Sequence, residues 1–121
     1  MGIIAIEHVQ LAMPPEQEDR ARMFYEQILG IPEVPKPKDL ANRGGVWFER
    51  GPLKVHLGVE ENFVAAKKAH PAFLVSDLAD MVEHMKQKGI EIIEDNALNG
   101  CARVYVSDPF GNRIELMESL K

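Results

Sequence analysis

Three histidines and one late glutamate are the residues of this sequence whose types and positions point to chemistry. His8, His56 and His70 each lie in a segment that alternates like a β-strand, and Glu115 lies in a fourth. Three neutral imidazoles and a carboxylate suit a divalent metal ion such as Zn, Ni, Fe, Co or Mn: each ring offers a nitrogen lone pair, and the carboxylate offsets part of the ion's charge. These donors are far apart in the chain, so only a fold that aligns their strands can gather them. Taken singly, a strand histidine more often fills a hydrogen-bonded structural role. A fourth, His84, lies off the Leu78/Met81/Val82/Met85 stripe of a predicted helix and is expected on that helix's solvated face.

Strand parity says which side chains share a face, because successive residues point to opposite sides. Ile114 and Leu116 oppose Glu115; Val55 and Leu57 oppose His56; Val104 and Val106 oppose Arg103 and Tyr105; Val9, Leu11 and Met13 oppose His8 and Gln10. With the apolar faces given to helices, the polar set lines a concave interior. Val46 and Phe48 suit the helix side, which leaves Trp47 and Glu49 pointing inward. Gln10, Trp47, Arg103 and Tyr105 are therefore candidates for holding a small anionic substrate. Arg43 joins them from the flexible stretch Arg43-Gly44-Gly45, although a plain surface charge fits it as well.

The elements that must position these residues come in two similar runs. Residues 3–13 read as a strand ended by Pro14-Pro15, residues 16–29 as a helix stopped by Gly30, and residues 32–37 as a proline-rich extended loop. Residues 45–50 and 53–59 read as a hairpin through Gly51-Pro52. The order then recurs: a strand over 70–76, a helix stopped by Gly89, a short strand over 90–94, and a hairpin of 102–107 with 113–118 across Asp108-Pro109-Phe110-Gly111-Asn112. His8 and His70 are 62 residues apart, Gly51 and Gly111 are 60 apart, and His56 and Glu115 are 59 apart. Two copies of a period near 60 residues predict an α+β domain of tandem βαβββ modules, 3–59 and 70–118, with curved mixed sheets, helices outside and a concave site. A single module buries too little to be stable alone.

Composition bounds the remaining choices. The 121 residues leave room for one domain; 45% are hydrophobic and 27% charged. A formal charge of −5 without a basic block argues against nucleic acid or an anionic membrane as partner. A single cysteine, Cys101, makes a reducing cytoplasm the expected location. The early apolar run 3–6 is too short for a signal-peptide core or a membrane span, so neither is expected.

Four stretches together resemble the vicinal oxygen chelate superfamily: Ile6-Glu7-His8-Val9-Gln10-Leu11, Lys54-Val55-His56-Leu57-Gly58, His70-Pro71-Ala72-Phe73-Leu74-Val75, and Asp108-Pro109-Phe110-Gly111-Asn112-Arg113-Ile114-Glu115. That superfamily includes glyoxalase I, bleomycin-resistance proteins, fosfomycin-resistance thiol transferases and extradiol dioxygenases. The resemblance covers nearly the whole chain. It implies paired βαβββ modules, a divalent metal held by His8, His70 and Glu115, Glu115 as the catalytic acid–base, and a homodimer whose sites combine modules. His56 falls where bacterial glyoxalase I enzymes place a further carboxylate ligand, and is expected here as a fourth ligand.

The function so implied is metal-dependent catalysis on a small oxygen-rich substrate, of lyase, isomerase, dioxygenase or thiol-transferase class. A metal-free protein that binds a drug or other small molecule, like the bleomycin-resistance members, is the alternative; the charge of −5 suits a cationic ligand and Trp47 offers a stacking surface. A module that has kept the fold without the chemistry is a third reading, and the polar constellation argues against it.

Overall fold

Both predicted hairpins form, and each is the centre of a four-stranded sheet. In the computed structural model, which describes residues 1–95 and 100–119, the chain divides into two compact units, Met1–Phe63 and Val64–Lys121. In the first, strand β1 (Val9–Met13) is followed by helix α1 (Glu18–Ala21), which continues as a π-helical segment over Arg22–Ile28, and by β2 (Glu33–Val34), β3 (Gly45–Arg50) and β4 (Leu53–Val59). In the second, β5 (Ala72–Leu74), α2 (Leu78–Gln87), β6 (Ile93–Glu94), β7 (Cys101–Ser107) and β8 (Arg113–Ser119) repeat the order. The sheets run β1-β4-β3-β2 and β5-β8-β7-β6, so each module is a βαβββ unit whose first strand pairs in parallel with its last. No helix among the described residues is long and apolar enough to cross a membrane.

The duplication holds at the level of register. Gln10 stands opposite His56 across the β1–β4 ladder, and Ala72 stands opposite Glu115 across β5–β8. His8 and His70 each lie two residues before those pairing positions. The first strand is shorter than the predicted 3–13. Val9 already pairs with Val55 and β4 begins at Leu53, so the chain before Glu7 has no ladder to join. Ile3, Ile4 and Ile6 are consequently left exposed. The stretch read as a proline-rich loop contains β2, where Glu33 and Val34 pair with Phe48 and Trp47; proline spacing hid a two-residue strand held by its neighbour rather than by its own propensity. The strand predicted at 70–76 contracts to three residues. Pro71 has no N–H to donate, yet its carbonyl still accepts from the Glu115 amide at 3.0 Å.

Burial follows the parity argument. Val46, Phe48, Val55 and Leu57 are buried on one face of the first sheet with Phe24, Tyr25 and Ile28 from the helix, and Tyr25 stacks on Phe48 with ring centroids 5.4 Å apart. In the second unit Val104, Val106, Ile114 and Leu116 are buried, as are Leu78 and Met85 of α2. The turn before β8 is held by a buried carboxylate: Asp108 accepts from the amides of Phe110 (2.9 Å) and Asn112 (2.8 Å) and from the Asn112 side chain (2.9 Å). This Asx-type scaffold fixes where β8 begins, and therefore which residue reaches the position of Glu115.

Gly45 opens β3 opposite Gly58 with φ of +102°, and a Cβ there would lie 2.1 Å from the Leu57 carbonyl oxygen. Gly51, in the hairpin turn, has φ of +57° and open space around it. Gly45→Ala is expected to lower unfolding free energy by more than about 2 kcal/mol, and Gly51→Ala by about 1 kcal/mol. Urea unfolding followed by far-UV circular dichroism measures both.

Candidate functional site

In the second unit the duplicated register brings His70 to Glu115. His70 Nε2 lies 3.1 Å from Glu115 Oε1, and the carboxylate is buried. The other ring nitrogen, Nδ1, is 2.9 Å from the Lys68 carbonyl oxygen. A carbonyl oxygen only accepts, so Nδ1 carries a proton, and in the neutral ring the lone pair is on Nε2, aimed at a carboxylate oxygen. Two acceptors in that position repel unless a cation lies between them, either a proton on Nε2 or a metal. The imidazole nitrogen and the carboxylate oxygen are both donor types that a divalent metal accepts. A backbone carbonyl orienting the far nitrogen is also the usual support of a metal-ligating histidine.

Around this pair the face is completed by β7. Arg103 donates to the second oxygen, Glu115 Oε2, at 3.3 Å and pairs with Asp95 at 3.1 Å. Burial works against the Arg103 charge, but the bond to Glu115 and the nearby negative charges outweigh it and hold the guanidinium above its ordinary pKa. Tyr105 meets His70 edge to face at 5.2 Å, and Arg113 caps the phenol ring at 4.1 Å.

The first unit uses the equivalent positions differently. His8 Nδ1 is 3.1 Å from Glu7 Oε1, and the Glu7 carboxyl is held below its usual range, chiefly by its bond from Lys54 and then by that from His8. His8 therefore donates through Nδ1, and in the neutral ring its lone pair is on Nε2. His56, which occupies the register position of Glu115, is buried and donates Nε2 to Glu49 Oε2 at 2.7 Å. In the neutral ring a ligand role for His56 then falls to Nδ1. The His56 ring is sandwiched, with Trp47 parallel on one partner contact at 3.7 Å and His8 at 4.4 Å. Gln10 and Arg43 line a cavity beside Trp47.

Of the nine residues singled out in the sequence, His8, His56, Trp47, Gln10 and Arg43 lie in the first unit, and His70, Glu115, Arg103 and Tyr105 in the second. Among the described residues no group of three or more His, Cys, Asp or Glu side chains gathers at one point. His84, in the last turn of α2, is half-buried rather than fully solvated. Sequence reasoning assigned no role to Glu49, Glu7, Arg113 or Asp95. Parity placed Glu49 inward, and Arg113 shares the Glu115 face two residues earlier, so both carried a signal; Asp95 did not, since only the fold sets it beside Arg103.

A family model described as the Glyoxalase/Bleomycin resistance protein/Dioxygenase superfamily matches residues 5–116. A glyoxalase family protein from Bacillus anthracis is 49% identical, with 98% of each chain covered and a TM-score of 0.94. A glyoxalase/dioxygenase from Nostoc punctiforme (20% identity, 100% and 99% covered, TM-score 0.76) has the same fold. So does the genomically encoded fosfomycin resistance protein FosX from Listeria monocytogenes (17% identity, 98% and 95% covered, TM-score 0.77). No curated protein matches the chain at a significant level.

His56→Ala removes the partner of Glu49 and one ring from the stack on Trp47. It is expected to cost about 2–4 kcal/mol of stability, whereas His8→Ala, at the more exposed end of the stack, is expected to cost less than about 1 kcal/mol. Denaturant titration of both variants checks the order.

Proposed function

The chain belongs to the Glyoxalase/Bleomycin resistance protein/Dioxygenase superfamily, and from that premise we propose that it is a divalent-metal-dependent enzyme acting on a small oxygen-rich substrate. The observation that carries this reading is the His70 Nε2–Glu115 Oε1 pair at 3.1 Å, with the far imidazole nitrogen oriented by the Lys68 carbonyl as in metal-ligating histidines. His8, His70 and Glu115 are the proposed ligands, with His56 as a further donor through Nδ1. A bound divalent metal supplies Lewis-acid stabilisation of negative charge developing on substrate oxygens.

The chain's own groups then have distinct tasks. Glu115, fixed by Arg103 through its second oxygen, is the proposed acid–base. Arg103 steadies Glu115, while Tyr105 and the Arg113 that caps it give the surrounding face an aromatic surface and a cation suited to orienting an anionic substrate. Glu49 and His56 form a second carboxylate–imidazole pair able to hold or pass a proton. A carboxylate that the glyoxalase I pattern places at position 56 thus stands on the adjacent strand, one hydrogen bond from that position. A homodimer is part of the proposal: uncovered Ile3, Ile4 and Ile6 ahead of β1 are the apolar surface a second copy would bury. A cytoplasmic setting, with no nucleic-acid or membrane partner, is proposed on composition.

Protein purified without added metal or chelator, then stripped and reconstituted, is expected to bind one equivalent of a divalent ion per chain by calorimetry. Zn, Ni, Fe, Co and Mn are the ions to compare. His70→Ala and Glu115→Gln are expected to weaken binding at least ~10-fold. Failure of the reconstituted protein to take up stoichiometric metal, or unchanged affinity in His70→Ala, would overturn the metal reading and leave metal-free small-molecule binding in its place.

A further inference from the structure

The first unit contains a cavity of about 380 Å³ that uses neither His70 nor Glu115. Its apolar lining comes from Leu40, Trp47, Leu57 and Val59, and its polar groups include Gln10 and Arg43. The chain has six arginines. Five are engaged by protein groups: Arg22 by Asp19 and Glu33, Arg103 by Asp95 and Glu115, Arg50 by the Gly30 carbonyl, Arg113 by Lys67 and Tyr105, and Arg20 by Gln17. Arg43 is the exception: among the described residues its guanidinium has no hydrogen-bond or ion-pair partner. Arg43 is exposed at the wall of this cavity, so its guanidinium is free to meet a ligand entering from solvent.

The loop that carries Arg43 is braced on both sides. Lys36 donates through Nζ to the carbonyls of Arg43 and Gly44, so that ammonium is committed to holding the loop. Glu18 accepts from the Gly45 amide at 2.8 Å. Opposite, Gly58 leaves the room that the Gln10 amide fills, since a Cβ there would come within 2.7 Å of Gln10 Nε2. Trp47 is held flat against His56 by the parallel stack at 3.7 Å. Arg43 is thus presented on a pre-formed mouth, close to an amide that can donate and to an indole that stays in place.

We infer that this cavity is a subsite for the carboxylate end of a small organic monoanion, with Arg43 holding the carboxylate, Gln10 assisting, and Trp47 covering an apolar or aromatic body. A planar carboxylate matches the guanidinium fork. A dianion is disfavoured by Glu18 beside the loop and by the net negative charge. The inference rests on the reading of this face as substrate-facing. It names the substrate class as a carboxylate-bearing molecule, and it is tested without metal so that the two readings fail separately.

Trp47 is the only tryptophan in the chain, so its emission reports on the cavity directly. Phenylacetate titrated into the full chain in the presence of chelator is expected to give a saturable change in Trp47 fluorescence, with a matching heat by calorimetry. The neutral isostere phenylacetamide and the dianion phenylphosphonate are each expected to bind at least ~10-fold more weakly. Arg43→Gln is expected to weaken phenylacetate by a similar factor, while Arg50→Gln binds it as the parent does. Equal affinity for the amide, tighter binding of the phosphonate, an unaffected Arg43→Gln, or no saturable response would each overturn the inference. The wild-type comparison of phenylacetate with phenylacetamide needs no variant to fold.

Discussion

The second unit is organised around the meeting of an imidazole and a buried carboxylate. Lys68 holds one nitrogen of His70 as a donor, and the sheet register directs the other at Glu115, 3.1 Å away. Strands hold both groups, so neither moves aside cheaply. The Asp108 turn sets the start of β8, Pro71 accepts from the Glu115 amide, and Arg103 engages the remaining carboxylate oxygen. Each of these contacts makes the meeting of imidazole and carboxylate more exact. A buried carboxylate and an imidazole held this rigidly satisfy each other through a shared proton, or through a metal ion in its place.

Duplication gave the first unit the same backbone and a different electrostatic solution. His56 stands where the second unit has Glu115, and its partner is a carboxylate, Glu49, on the next strand, two positions on from the stacked Trp47. The face instead carries a stack of three rings and, beside it, a cavity with an uncommitted arginine. The two units thus place an imidazole–carboxylate pair in different surroundings: beside Arg103 in the second, beside stacked rings in the first.

Much of this was legible because the signals are local and periodic. Alternation separated Val55 and Leu57 from His56, and Val104 and Val106 from Arg103 and Tyr105; the burial of the apolar sets follows it. Glycine and proline marked the two hairpins to within a residue. Register across the repeat was readable from His8/His70 and His56/Glu115, because each ladder is set by its hairpin. The two-residue strand β2 and the loss of residues 3–8 from β1 were not legible. Pairing of a short segment depends on how far its neighbour extends, and that is a property of the sheet.

What the sequence determined by itself was composition, the doubled βαβββ pattern, and the face on which each polar side chain lies, since parity and turn chemistry act over a few residues. What only the tertiary structure decided was the partner of each polar group. His56 meets Glu49, Arg103 meets both Asp95 and Glu115, His70 meets the Lys68 carbonyl and Glu115, and Arg43 has no side-chain partner among the described residues. Those outcomes depend on distances between separate strands and loops, where a shift of about an ångström changes which donor meets which acceptor.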